Sequence, residues 1–160
     1  MRGGFNPVVA GTAVVLVTLH FVLRVGFGLG GWAPDLLVLA LLLSARELRA
    51  GSAAGAGLLL GVLEGAVVPA SMGAAALALT LLGYAGARTR SFFSDDNPVL
   101  YALYLFAGKW LYDALLYLFS LLHGYSATGI VSALLFISPF AALYLAIVGM
   151  AVLAAQRALA

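Results

Sequence analysis

Apolar stretches of helix length follow one another along almost the whole chain, separated by short connections rich in glycine or polar residues. A bilayer core about 30 Å thick takes about 20 residues at helical rise, so segments of this size and polarity suit membrane-spanning helices. Only 9% of the 160 residues are charged and 64% are hydrophobic, whereas ordinary soluble domains carry about 25% charged residues. That composition rules out a soluble globular fold. Six such helices use about 120 positions, and the remaining connections are too small for a catalytic, nucleotide-binding or nucleic-acid-binding domain. The expected fold is therefore all-α: one integral membrane domain over residues 1–160, a six-transmembrane-helix bundle.

The breaks between helices have local causes. The run Gly26 to Gly31 ends a first helix of about 8–24, because repeated glycine disfavours continued helix. A second helix is expected over about 33–48, with Pro34 in its first turn and Asp35 beside its N-terminus, where negative charge is favoured. A third, about 51–68, stops before Pro69, and Ser71 to Gly73 form a turn into a fourth, about 74–87. The run Arg88 to Asn97 is the longest hydrophilic connection. Asn97 and Pro98 read as N-cap and first residue of a fifth helix, 98–122. A turn over Gly124 to Gly129 precedes a sixth helix, about 130–155.

Cations test this topology, since cytoplasmic connections carry the excess of lysine and arginine. With the N-terminus inside, six spans leave Arg2, Arg46, Arg49, Arg88, Arg90 and Arg157 in the cytoplasm and only Arg24 and His123 outside. Both termini are then cytoplasmic. Segments two and four are short for spanning helices, and apolar stretches of about 10–14 residues also occur as re-entrant or interfacial segments. The net charge of +2 is better read through topology than as attraction to an anionic partner. Nucleic acid is not expected as a partner. Cysteine is absent, which removes disulfides and thiolate chemistry. Two histidines without an accompanying acidic cluster do not make a metal site, and no cofactor or catalytic constellation is expected.

Polar residues inside apolar helices are the candidates for recognition, because charge is costly in a bilayer. Gly57, Gly61 and Gly65 recur at four-residue spacing on the third helix, preceded by Gly51 and Gly55, and strip one face of side chains. Such a face admits a close helix neighbour, from this chain or from another protein. Glu64 returns to nearly that face and points inward, either protonated, paired, or coupled to an ion. Lys109 and Asp113 are one helical turn apart and read as an ion pair, with Ser120 on the same stripe. Tyr101, Tyr104, Trp110, Tyr112 and Tyr117 are either a ligand-stacking wall or interfacial anchors. His20 and Arg24 stand at i and i+4, and Arg24 is close enough to its helix end to snorkel into the outer interface.

The stretch from Trp32 to Arg88 resembles the MreD family of rod shape-determining proteins. The likeness begins in WAPDLLVLALLL, with Trp32, Pro34 and Asp35, and continues through Gly57, Gly61, Ser71, Gly73 and Tyr84. The family's acidic position falls at Gly65, one residue after Glu64. The resemblance implies a non-enzymatic, multi-pass protein of the bacterial inner membrane. Its partners would be MreC directly, RodA and a class B penicillin-binding protein through the cell-elongation complex, and membrane lipid. MreD proteins are also similar in helix number and architecture to the substrate-binding components of energy-coupling-factor vitamin transporters. That likeness supplies an alternative, in which Glu64, Lys109 and Asp113 would line a vitamin pocket.

Overall fold

The computed structural model describes residues 6–28, 33–69, 72–92, 97–122, 124 and 129–159, and all regular structure among them is helical. In chain order the helices are α1 (Pro7–Phe21), α2 (Leu36–Glu47), α3 (Ala50–Val67), α4 (Met72–Thr89), α5 (Pro98–Leu122), the single turn α6 (Ile130–Ser132) and α7 (Ser138–Leu159). A π-helical turn, Val22–Gly26, extends α1, and a second, Ala133–Ile137, joins α6 to α7. Local capping agrees with the sequence where the cap is a side-chain acceptor. Asn6 accepts from the Val8 N–H at 3.0 Å, and Asn97 accepts from the Val99 N–H at 2.9 Å, each with proline next in sequence.

Four stretches are long and apolar enough to cross a membrane: Pro7–Gly26, Ala50–Val67, Pro98–Leu122 and Ile130–Ala158. Large apolar side chains such as Val14, Leu59, Leu103, Phe136 and Ile147 stand exposed on them, the arrangement a lipid solvent favours. The segments expected as spans two and four differ from these. α4 is diluted by glycine, threonine and Arg88. α2 has 12 residues, about 18 Å of helix, and starts at Leu36 rather than near 33, so Pro34 precedes the helix instead of occupying its first turn.

The leucine run of α2 is the core of the molecule. Leu36 to Ala45 are all buried, seven of them at 0–1% exposure, with α1, α3, α4, α5 and α7 packed around them. Gly108 of α5 lies against Leu42, and Gly149 of α7 lies against Leu39 and Leu105, so missing side chains let the outer helices close on the central one. The Tyr104 hydroxyl donates to the Leu42 carbonyl at 3.1 Å, and Tyr101 and Tyr104 both face the Arg46 guanidinium.

α3 and α4 form the closest helix pair. A Cβ on Gly57 would collide with the Leu79 carbonyl, one on Gly61 with the Ala76 backbone, and one on Gly83 with the Ala53 carbonyl. Gly65 is buried on α3 as well. The glycine face is thus filled by this chain's own α4. Gly51 and Gly55 do not share in it: both are exposed with open space beside them.

Candidate functional site

Six ionisable residues from three helices, α1 with its π-helical extension, α3 and α5, and from the entrance of α2 converge inside the bundle. Lys109 lies near the centre of the 25-residue α5, and its ammonium donates to Asp113 at 2.5 Å and to Asp35 at 2.9 Å. Asp35 occupies the N-cap position of α2 without a side-chain capping bond; its carboxylate is committed to Lys109 instead. Ser138, the first residue of α7, donates to the other Asp113 oxygen at 2.5 Å. On the opposite wall, Glu64 of α3 accepts from Arg24 at 2.5 Å and lies 3.2 Å from His20 Nε2. The layer therefore ties α1, α2, α3, α5 and α7 together through charges that a bilayer interior tolerates only when paired.

Arg24 departs from its expected course. It turns inward to Glu64 instead of snorkelling out, because the buried carboxylate offers a charge-assisted bond that lipid cannot. The π-helical turn Val22–Gly26 carries it; such turns interrupt regular helix and occur frequently at functional sites. The second π-helical turn, Ala133–Ile137, ends immediately before Ser138.

These residues line a cavity of about 770 Å³. The charged floor is His20, Arg24, Asp35, Glu64, Lys109 and Asp113, and aromatic walls come from Tyr112 and Tyr117 of α5 and Phe140 and Tyr144 of α7. The expected tyrosine wall thus divides. Tyr112 and Tyr117 reach the cavity, whereas Tyr101 and Tyr104 pack by Arg46. Trp110 is exposed and donates to the Leu134 carbonyl at 3.2 Å. Ser120 is outside the layer too, since its hydroxyl donates to the Leu116 carbonyl of its own helix.

Of the motif residues, Pro34 lines the cavity beside Asp35, and Gly57 and Gly61 seal the helix pair. Gly73 lies exposed in the first turn of α4, and Tyr84 is 48% exposed on the outside of that helix. Trp32 and Ser71 lie outside the described residues, as do Arg2 and His123. Ser138, Phe140 and Tyr144 were not singled out by sequence. A serine before Pro139 in an apolar run is a faint signal, and nothing in its spacing points to Asp113.

Because Glu64 is bonded to a cation, Glu64→Gln is expected to cost about 1.5–3 kcal/mol, the range for a hydrogen bond to a charged group. Unfolding of the detergent-solubilised variant, followed by circular dichroism, measures this; an unchanged midpoint would mean that the bonds from Arg24 and His20 to Glu64 add no net stability.

No family model, no curated protein and no solved structure matches this chain.

Proposed function

We propose that the chain is a non-enzymatic scaffold of the MreD type, a six-span bundle of the bacterial inner membrane that binds MreC and supports wall synthesis during cell elongation. One observation carries this reading. The segment that resembles the family, 32–88, supplies the centre of the bundle: the buried α2 with Asp35 at its head, and the glycine-sealed pair of α3 and α4. Residues that specify the shape of the molecule are those a family of scaffolds holds in common.

Orientation follows from the cations. Arg46, Arg157 and Gln156 share one end of the bundle, where Arg90 donates to the Arg46 carbonyl and Glu47 accepts from the Asn6 N–H. The positive-inside rule places that end in the cytoplasm and the Arg24 end outside. α2 and α4 then complete six passes, with α2 shielded from lipid by its neighbours. The glycine face is occupied by α4, so a helix of MreC docks on another face of the bundle, and RodA and the class B penicillin-binding protein join through the complex.

The cavity favours a second reading, a substrate-binding component of an energy-coupling-factor-type transporter with a vitamin in the charged pocket. Purification of the tagged protein from its native membrane in mild detergent, with mass spectrometry of the copurifying chains, separates the two. Recovery of MreC supports the scaffold; recovery of paired transport ATPases with a membrane coupling subunit replaces it.

A further inference from the structure

The charged layer is not uniformly sealed. Glu64, Lys109 and Asp113 are 6–12% exposed as side chains; Glu64 is engaged by Arg24 and His20, Lys109 by Asp113 and Asp35, and Asp113 by Lys109 and Ser138. Arg24 and Asp35 differ. Their side chains are 31% and 20% exposed, and both line the cavity. One guanidinium and one carboxylate are therefore the charges most open to an occupant.

Between them lies an unused polar atom. His20 is 2% exposed and its Nε2 faces Glu64, yet its Nδ1 has no hydrogen-bond partner among the described residues and stands 4.0 Å from Asp35. That gap is too long for a hydrogen bond. A buried polar nitrogen without a partner calls for an explanation, and here it belongs to a residue that lines the cavity with the more open carboxylate. The two π-helical turns border the same space, one contributing Arg24 and the other Ile137.

We propose that this cavity binds a small zwitterion, whose oxyanion is held by the Arg24 guanidinium and whose ammonium is held by Asp35, with His20 Nδ1 bonding a polar atom between them. The charge pattern selects this class. A purely anionic guest meets three carboxylates against two permanent cations, and a purely cationic guest leaves the Arg24 guanidinium facing it. A guest with both signs answers both walls, while Tyr112, Tyr117, Phe140 and Tyr144 cover its carbon skeleton. Ammonium and phosphate occur together in a free metabolite and in the head group of a phospholipid, and the cavity chemistry is common to both. The site does not depend on which larger assembly the chain joins.

The test is calorimetric titration of the purified full chain in maltoside detergent. The probes are glycerophosphoethanolamine, its short-chain lipid dihexanoylphosphatidylethanolamine, and the corresponding phosphoglycerol compounds, which lack the ammonium. Saturable binding of an ethanolamine probe at least tenfold tighter than its phosphoglycerol counterpart is expected. Equal affinity for the free head group and the lipid identifies a soluble guest; binding of the lipid alone identifies a lipid head group. Ala141→Trp, on the cavity wall supplied by α7 and itself uncharged, is expected to lower affinity at least tenfold with circular dichroism and elution volume unchanged. Should that variant not fold, Ala141→Leu replaces it with the same expectation. Absence of saturable binding, equal binding of the phosphoglycerol compounds, or full affinity in a folded, cavity-filled variant would overturn the proposal.

Discussion

Gly61→Leu is expected to abolish recovery of monodisperse protein from detergent, because the new side chain begins inside the space held by the Ala76 backbone of α4. Overpacking among side chains typically costs about 1–3 kcal/mol, since neighbours adopt other rotamers. Backbone has no such freedom, so the two helices must separate, and in lipid no hydrophobic force draws them back. The loss should exceed the usual range. Gly55→Leu is the matched control: it sits on the same helix with nothing within 4 Å of its added Cβ, and its elution profile should be that of the unaltered chain. A Gly61→Leu protein that elutes and melts like the Gly55→Leu protein would show that α3 and α4 do not meet at this face.

The second large effect is centred on Lys109. Lys109→Met removes the cation shared by Asp35 and Asp113 and strands two carboxylates in the bundle. Breaking a buried ion pair by deleting one partner costs about 3–5 kcal/mol, whereas replacing all its members by neutral groups of similar size is often near neutral. The triple variant Asp35→Asn, Lys109→Met, Asp113→Asn should accordingly recover more than half of the stability lost in the single one. Denaturation by dodecyl sulfate, followed by helical circular dichroism, measures both. A triple variant weaker than Lys109→Met would mean that the charges stabilise the fold beyond compensating one another.

Much of the helical layout was legible because it is local. Pro98 and Asn97 mark the start of α5, and its span is the one expected from the sequence. The Lys109–Asp113 pair was legible for the same reason, four residues being one helical turn. The other bonds of the layer join residues 25, 40, 44 and 74 apart in sequence, and no periodicity connects such distances. Each member was conspicuous alone as an ionisable group among apolar neighbours, but its partner was not. Arg24 illustrates the difference: proximity to a helix end suggested snorkelling, and only the position of α3 reveals the carboxylate that draws it inward.

The leucine run of α2 was ambiguous for a different reason. Leucine serves equally against lipid tails and against other helices, so Leu36 to Leu43 read the same in either solvent. Length was the discriminating clue, because a stretch of about 10–14 apolar residues is short for a helix that faces lipid along its whole length. The glycine face was half legible. Four-residue spacing marked Gly57 and Gly61 for close packing, while the presence of α4 as occupant, and the outward position of Gly51 and Gly55, depended on the tertiary fold.

The enclosure of α2 also dictates an order of biogenesis. A helix of 12 residues with no surface left for lipid is a poor substrate for stable insertion on its own, and its final neighbours α5 and α7 emerge from the ribosome after it. The nascent chain must therefore hold its central segment in a provisional environment, at the membrane boundary or against α1, α3 and α4, until the later helices arrive to enclose it. Assembly is then completed by the C-terminal half, and the middle of this protein is the last part to reach its native surroundings.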